Sequence, residues 1–236
     1  ISQMGLSYLV YPGARHTRFH HALGCMFLMQ QALQTLRYKQ VEITPEEEEA
    51  LYIAILLHDI GHGPFSHAME HSIVEGISHE EISLAFMEAL NKQFEGRLSL
   101  AIEIFQKRYK KQFMNQLVSS QLDMDRLDYL KRDSFYSGVS EGNINSQRII
   151  AMLTVKDDTL IVEEKGIYSI EEFLVARRLM YWQVYLHKTS IGAEFVLVKL
   201  LARVKELTQQ GKKLPMTTAL RFFVENHITK ETFDTH

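Results

Sequence analysis

The sequence is poor in several features, and each shortage excludes a class of protein. Its 236 residues include one cysteine, Cys25, which rules out an internal disulfide and a metal site built from several cysteines. The longest purely apolar run, residues 50–57, is far short of the roughly 20 residues that cross a bilayer. Positive charge is not in excess either: the net charge of −3 argues against a general nucleic-acid partner.

The rest of the composition is that of a folded globular chain, with 46% hydrophobic and 23% charged residues. No signal peptide is visible and the chain does not start with Met, so we expect a cytoplasmic protein or a piece of a longer one. Without a Pro- or Ser-rich linker, one mostly helical domain over residues 1–211 is the simplest organisation. Residues 212–236 then begin a C-terminal helical region that we expect to be truncated.

Apolar spacing is mostly helical. It predicts helices over residues 17–37, 45–59, 65–73, 79–94 and 101–117, another that Ser119 or Ser120 caps and that ends near 136, and a short one after Pro215. Capping boxes are predicted at Thr44 with Glu47, Ser78 with Glu81, and Ser169 with Glu172. The helical pattern after Ser169 extends to residue 209, with an interruption near Gly192. Residues 153–162 read as a β-hairpin.

Histidine is unevenly distributed, which points to chemistry. Eight of the 11 histidines lie in the first 79 residues, and histidine is a metal ligand and a proton carrier near neutral pH. His58 and Asp59 end an apolar helix just before Gly61 and Gly63. Burying a carboxylate without a partner is costly, and a metal ion would supply the countercharge to both side chains. A surface pair or a helix cap is the alternative interpretation of such a dipeptide.

Two further residues are candidates for the same site. His21 follows Arg18 by one turn, although a lone histidine on an amphipathic helix is more often a core residue. Asp125 belongs to a run of three acids that is more often a solvated face. Together with His58 and Asp59 they would form a site of nitrogen and oxygen ligands, which suits Fe, Mn, Mg or catalytic Zn. Open positions on such a metal allow a bound water to be acidified and to attack an electrophile.

The order of these residues resembles the H…HD…D signature of HD-domain metal-dependent phosphohydrolases. Residues 10–21 (VYPGARHTRFHH) and 58–67 (HDIGHGPFSH) look like the deoxynucleoside triphosphate triphosphohydrolase branch of that family, and residues 125–133 (DRLDYLKRD) and 185–188 (YLHK) also fit. The resemblance covers about residues 1–191. It implies an all-α HD-domain fold with a small β-hairpin.

The resemblance also implies a role for individual residues. The metal ligands would be His21, His58, Asp59 and Asp125, holding a divalent ion whose identity (Fe, Mn, Mg or Zn) is left open. The catalytic residues would be His67 at the α-phosphate, supported by Glu70 and His79. The phosphate contacts would be His62, Arg18, Arg126, Arg177 and Lys188. The contacts to the sugar and base would be Gln3, Met4, Tyr129, Asp133 and Tyr185, the last of which crowds the ribose 2′ position.

These roles imply attack at the α-phosphorus, which expels tripolyphosphate and leaves a deoxynucleoside. The family also leads us to expect a homo-oligomer and a nucleotide activator, with no membrane partner. Two alternatives stay open. One is a phosphohydrolase of the same fold that acts on another nucleotide, such as a monophosphate or a cyclic dinucleotide. The other is a nucleotide-binding regulatory module with little turnover.

Overall fold

The computed structural model describes residues 1–65 and 76–226, and helices dominate this part of the chain. The α-helices are α1 (Arg18–Tyr38), α2 (Pro45–Leu57), α3 (His79–Gln93), α4 (Ser99–Phe105), α5 (Gln112–Val118), α6 (Met124–Ser137), α7 (Ser146–Met152), α8 (Ile167–Met180), α9 (Lys188–Gln209) and α10 (Thr218–Glu225). Short 3-10 turns lie at Ser7–Leu9, Ser140–Gly142 and Glu164–Gly166. Nearly all of the helix predicted over residues 65–73 lies outside the described residues. Within them, no helix is both long enough and apolar enough to span a membrane.

The two strands, β1 (Leu153–Lys156) and β2 (Thr159–Val162), form the predicted hairpin. They pair antiparallel, with Leu153 opposite Val162 at the open end. Asp157 and Asp158 form the two-residue turn with φ of 50° and 59°. Positive φ at both positions matches the right-handed twist of the strands, and Asp tolerates it better than most residues. The prediction of an all-α fold with a small hairpin is confirmed.

Helix α1 organises the core, because α2 and α6 both pack against it. Its inward side is fully buried at Met29, Leu33 and Leu36. The box at the start of α2 forms as predicted: Glu47 N donates to Thr44 Oγ1 at 3.2 Å, and Thr44 N donates to Glu47 Oε2 at 2.9 Å. The start of α1, the end of α2 and the start of α6 are the parts of this core that carry the candidate ligands.

The single helix predicted over residues 101–117 is wrong. The chain forms α4 and α5 instead, separated by a turn in which Lys107 has a φ of 61°. The amide of Asn115 donates to the carbonyl oxygens of Ile104 at 2.9 Å and Phe105 at 3.4 Å, so a side chain from α5 satisfies the end of α4. The apolar spacing concealed the break because both short helices keep their apolar residues in helical register.

Two predictions about the later helices are also wrong. Helix α8 starts at Ile167 without a side-chain cap, so Ser169 and Glu172 form no box at its start. Gly166 precedes it and packs so closely on the hairpin side that a Cβ there would lie 2.8 Å from Val162. The later break is not at Gly192, which lies inside α9 and where an added Cβ would meet no described atom within 4 Å.

The actual break is a π-helical turn over Tyr181–Tyr185, followed by Leu186 and by His187 at the N-cap of α9. His187 Nδ1 accepts a hydrogen bond from Thr189 N at 3.2 Å, which satisfies one of the free amides at the start of α9. The π turn carries Tyr185 toward α6, where it meets the candidate site.

Candidate active site

Four of the predicted site residues converge from three elements. His21 lies in the first turns of α1, His58 and Asp59 directly follow α2, and Asp125 lies in the first turn of α6. His21 Nε2 is 3.1 Å from Asp125 Oδ1 and 3.9 Å from Asp59 Oδ2. His58 Nε2 is 3.6 Å from Asp125 Oδ1 and 3.7 Å from Asp59 Oδ1. Two imidazoles and two carboxylates therefore face one point.

The donor set fits a divalent metal. His58 Nδ1 donates to the carbonyl oxygen of Ile55 at 2.6 Å, which leaves Nε2 as the acceptor nitrogen. That Nε2 is buried, and among the described residues it has no hydrogen-bond partner. A buried, unpaired imidazole nitrogen that faces two carboxylates is the arrangement a metal ion would complete.

Electrostatics couple the imidazoles to the acids. Burial lowers the pKa of His58, but the carboxylates of Asp59 and Asp125 raise it by more than burial lowers it. The pKa of His58 therefore lies above the ordinary value. Burial raises the pKa of Asp125, but the imidazoles of His21 and His58 that face it outweigh burial, so its pKa falls well below the ordinary value. The carboxylates are thus ionised, and their charge can be balanced by protonated imidazoles or by a divalent cation.

Cys25 lies close to the same group, since His21, Cys25, His58 and Asp125 each offer a ligand atom within 4.8 Å of the others. Its Sγ is 3.5 Å from Nδ1 and 3.6 Å from Nε2 of His21, so it is off the lone-pair axis of both nitrogens. Burial raises the pKa of the thiol to about 12, which keeps it protonated. Cys25 packs beside the imidazole, and Asp59 is the better fourth ligand.

The start of α6 differs from the prediction. Neither Ser119 nor Ser120 caps the helix; buried Asp123 does, accepting from Arg126 N at 2.8 Å. The guanidinium of Arg126 also donates to Asp123. Burial and the neighbouring Asp125 raise the pKa of Asp123 to about 6. The cap therefore holds the first turn, and with it Asp125, at the site.

A residue that sequence reasoning missed holds the His58–Asp59 turn in place. Ser83 of α3 is fully buried; its hydroxyl donates to the carbonyl oxygen of His58 at 3.0 Å and accepts from Gly61 N at 2.9 Å. A Cβ on Gly61 would lie 2.2 Å from the carbonyl oxygen of His79, so the backbones of the turn and of α3 approach as only glycine permits. No sequence signal marks this serine, which sits in an ordinary helical position.

The predicted catalytic histidines are only partly described. His67 and Glu70 lie outside the described residues. His79, the first residue of α3, lies against His62, with ring centroids 3.9 Å apart and the rings tilted by 35°. His62 Nδ1 is 3.3 Å from Asp59 Oδ1. His62 and His79 therefore border the ligand group on the side where α3 begins.

The predicted phosphate-binding cations have different surroundings. Arg18 donates to Asp59 and so lies at the ligand group. Arg177 Nη1 donates to Gln121 Oε1 at 3.1 Å, and its guanidinium lies 5.9 Å from the centre of the Tyr181 ring. Lys188 is exposed and makes no ion pair within residues 1–65 and 76–226. Arg18 and Arg126 are thus adjacent to ligand residues, whereas no contact joins Lys188 to them.

The predicted sugar-binding residues form a second cluster. The Tyr185 hydroxyl donates to Asp133 Oδ2 at 2.8 Å, and the rings of Tyr129 and Tyr185 meet edge to face with centroids 6.0 Å apart. His16 has its Nε2 2.6 Å from Asp133 Oδ1 and stacks on Tyr136. Asp133 is thereby held from both sides.

Gln3 is tied to this cluster through His16, and Met4 follows it in the chain. Gln3 N donates to the carbonyl oxygen of His16 at 3.0 Å, which ties the first residues to the segment that precedes α1. The side-chain oxygen of Gln3 is buried, and within the described part of the chain it has no partner. Met4 is also buried. An unpaired buried amide oxygen is suited to accept a hydrogen bond from a ligand.

Comparison with known proteins agrees with this geometry. The family model described as the HD domain matches residues 18–133, and the model described as the HD associated region matches residues 144–218. The chain belongs to the HD-domain phosphohydrolase family. HD domains bind divalent metals, and the ligand group described above lies within the first match.

Relatives of this HD-domain chain include bacterial and eukaryotic proteins. Protein YwfO of Bacillus subtilis is 36% identical over 218 residues, which cover 89% of this chain and 50% of YwfO. The deoxynucleoside triphosphate triphosphohydrolase SAMHD1 homolog of Dictyostelium discoideum is 30% identical over 217 residues, which cover 84% of this chain and 42% of that protein. The chain spans about half the length of the curated relatives it matches.

Among solved structures, a phosphohydrolase from Bacteroides thetaiotaomicron superposes with a TM-score of 0.97 at 60% sequence identity. The match covers all of this chain and 59% of that one. The two backbones therefore agree over the whole described part of this chain. This includes α1, the end of α2 and α6, which carry the ligand group.

Proposed function

We propose that the chain hydrolyses deoxynucleoside triphosphates to a deoxynucleoside and tripolyphosphate. The observation that carries the proposal is one face of α6, on which Asp125, Tyr129 and Asp133 follow each other at intervals of four residues. Asp125 contacts the candidate ligands, and Asp133 and Tyr129 contact Tyr185. With a rise of about 1.5 Å per residue, Tyr129 lies about 6 Å and Asp133 about 12 Å from Asp125 along the helix. One nucleotide can reach both the ligand group and the tyrosine cluster.

In this proposal His21, His58, Asp59 and Asp125 hold the divalent metal. When bound, the metal supplies positive charge at the phosphoryl oxygens and acidity to water. The protein adds fixed cations around the same point, since Arg18 and Arg126 flank Asp59 and Asp125. A triphosphate with about four negative charges needs several such cations, and forked guanidinium groups bind phosphate oxygens well.

The reaction adds water across the bond between the α-phosphorus and the 5′ oxygen. The water oxygen bonds to phosphorus, the 5′ oxygen leaves with a proton, and tripolyphosphate is released intact. His67, supported by Glu70 and His79, is our candidate for contact with the α-phosphate, as the family resemblance implies. His62, Arg177 and Lys188 are the remaining candidates for phosphate contacts, and Gln3 and Met4 for the sugar and base.

The tyrosine cluster supports a deoxyribose rather than a ribose substrate. Tyr185 is held by Asp133 on one side and meets the Tyr129 ring on the other, so its ring has little freedom to move aside. A rigid ring against the 2′ carbon of the sugar excludes an additional hydroxyl by steric overlap. The SAMHD1 homolog of Dictyostelium discoideum, by its name a deoxynucleoside triphosphate triphosphohydrolase, supports the same substrate class.

The test is a product analysis of the purified protein with Mn²⁺, Mg²⁺ or Fe²⁺. Each deoxynucleoside triphosphate and GTP would be supplied singly and as a mixture, and tripolyphosphate, pyrophosphate and orthophosphate would be separated. We expect tripolyphosphate with a deoxynucleoside, and no product from GTP. Pyrophosphate or orthophosphate as the first product would contradict the proposed reaction. No turnover with any metal or mixture would favour another nucleotide or a binding role.

A further inference from the structure

A carboxylate behind the ligand group engages the nitrogen of His21 that faces away from it. His21 is fully buried, and its Nδ1 lies 2.8 Å from Asp128 Oδ2. The other ring nitrogen, Nε2, is the one that faces Asp59 and Asp125. Nδ1 is thereby engaged by Asp128, and Nε2 is the ring nitrogen left to face a cation.

Arg132 holds that carboxylate in one orientation. Its Nε donates to Asp128 Oδ2 and its Nη2 donates to Asp128 Oδ1, both at 2.8 Å. This is the forked geometry in which guanidinium and carboxylate bind most strongly. Asp128 is therefore an oriented anion.

The pair can lie across α1 only because residue 24 is glycine. A Cβ at Gly24 would be 2.0 Å from Asp128 Oδ1 and 2.1 Å from Arg132 Nη2. Real Cβ contacts essentially never fall below 3.0 Å. Gly24 lies in the interior of α1, where glycine costs about 1 kcal/mol relative to alanine. Helix α1 is therefore less stable at this position than it would be with alanine, and this is where Asp128 and Arg132 approach its backbone.

We propose that Asp128, clamped by Arg132 over Gly24, is a positioning residue that fixes His21 with Nδ1 protonated and Nε2 available to a divalent cation. This inference rests on the metal site of the proposed function. An imidazole ligand whose second nitrogen donates to a carboxylate is oriented and made more basic, and loss of such a partner typically weakens metal affinity by about 10- to 100-fold.

The experiment measures the dissociation constant of Mn²⁺ alone by isothermal titration calorimetry. Asp128→Asn removes the charge and keeps the shape, and Gly24→Ala displaces the pair without changing an ionisable group. We expect both variants to bind Mn²⁺ about 10- to 100-fold more weakly than the wild type. Wild-type affinity in both variants would overturn the proposal. Circular dichroism melting would establish that each variant is folded.

Matched controls separate positioning from general damage. Glu48→Gln removes a carboxylate of α2 whose Oε2 lies 2.5 Å from Nη1 of Arg37 on α1. This pair is away from the candidate metal ligands. Gly192→Ala adds a methyl group inside α9, where no atom of residues 1–65 or 76–226 lies within 4 Å of the new Cβ. Both controls should keep the wild-type affinity for Mn²⁺. An equal loss of affinity in the controls would overturn the assignment to Asp128.

Nitrogen NMR of the protein loaded with diamagnetic Zn²⁺ gives a second readout, which a purely structural role would not move. We expect His21 to bind Zn²⁺ through Nε2 and to show a protonated Nδ1, whose proton resonance shifts upfield in Asp128→Asn. Zn²⁺ on Nδ1 would overturn the proposal. Wild-type protein that binds no metal would overturn both this inference and the proposed function, whereas tight binding without turnover would overturn the proposed function alone.

Discussion

Tyr185 donates its hydroxyl hydrogen to Asp133, and this 2.8 Å bond joins the π-helical turn after α8 to the last turns of α6. His16 contacts the other oxygen of the same carboxylate at 2.6 Å. Burial and Asp133 raise the pKa of Tyr185 well above its ordinary value, so its hydroxyl stays a donor at any physiological pH. The ring position of Tyr185 is thus set by a residue on the helix that also carries Asp125.

Removing this ring should weaken the discrimination against ribonucleotides. In the proposed function Tyr185→Ala would empty the space at the 2′ position, and we expect the ratio of kcat/KM for dGTP over GTP to fall by about tenfold or more. Tyr185→Phe is the matched control, because it keeps the ring and loses only the bond to Asp133. Steady-state kinetics with both nucleotides would check this. An unchanged ratio in Tyr185→Ala would place the sugar elsewhere.

Loss of a proposed ligand should abolish metal binding. His58→Ala deletes the imidazole whose Nε2 is buried without a partner, so we expect Mn²⁺ affinity to fall by about 100-fold or more and turnover to disappear. His20→Ala is the control: His20 adjoins His21 in sequence, yet it is exposed and its Nδ1 contacts Thr17 at the start of α1. Turnover of His58→Ala at the wild-type rate would refute the metal site.

His67 lies in the segment that the structure does not describe, and its proposed role predicts a different result. His67→Ala should keep the Mn²⁺ affinity of the wild type while turnover falls by at least about 100-fold, the scale of a lost acid or base. Calorimetry and product analysis of the same preparation would check it. A parallel loss of metal and turnover would make His67 a ligand.

Acid should destabilise the fold through Glu47. Its carboxylate, 3% exposed, accepts from Tyr109 at 2.6 Å, from Lys111 at 2.8 Å and from Thr44 N at 2.9 Å. Burial alone would raise its pKa, but these donors lower it below the ordinary value of 4.5. The stabilisation is therefore present in full above about pH 4.5, the unfolded value, and is lost as pH falls through the lower folded value.

Glu47→Gln should consequently cost about 1–3 kcal/mol of unfolding free energy at pH 7 and progressively less below pH 4.5. Urea denaturation of both proteins between neutral and acidic pH measures the difference. Glu49→Gln is the control, since Glu49 forms a surface pair with Arg97 and should change stability little at any pH. A gap between wild type and Glu47→Gln that does not narrow in acid would contradict this account.

The close approach at Gly61 predicts a strong effect from a single methyl group. Gly61→Ala would place a Cβ 2.4 Å from Ser83 N and 2.2 Å from the carbonyl oxygen of His79, both on α3. The turn that carries His58 would therefore have to move away from α3. We expect a loss of about 2 kcal/mol or more, from overpacking and from the lost bond to Ser83. Gly63→Ala is the paired control, because no described atom lies within 4 Å of its Cβ. Thermal melts of the two variants would distinguish these expectations.

Local chemistry made part of this structure predictable. Thr44 and Glu47 mark the start of α2 through bonds that involve only neighbouring residues, so the sequence suffices to locate them. His21, His58 and Asp125 could be proposed as ligands because ligand chemistry restricts residue types and because the surrounding motifs resemble a known family. The structure brings Asp125 within 4 Å of both imidazoles, and their role as metal ligands stays a prediction.

The rest depends on contacts between distant segments. Ser83 and Asp128 look like ordinary helical residues until folding brings them against His58 and His21. Helix α8 begins directly after Gly166, which packs against Val162, and no side chain caps this start. The prediction instead relied on Ser169, which resembles a cap but lies inside the helix. A sequence pattern indicates periodicity and local hydrogen bonds. Neither shows which distant segments folding will bring within hydrogen-bond distance of each other.

The convergence of α1, α2 and α6 has a thermodynamic consequence. Because the three segments are far apart along the chain, an unfolded molecule cannot hold their side chains around one cation. A metal that binds only the native state therefore adds its binding energy to folding, about 2.7 kcal/mol at a concentration 100 times its dissociation constant. The melting temperature should rise with the free Mn²⁺ concentration, and chelation should reverse the rise. The stability of this chain would then depend on how much metal its surroundings supply.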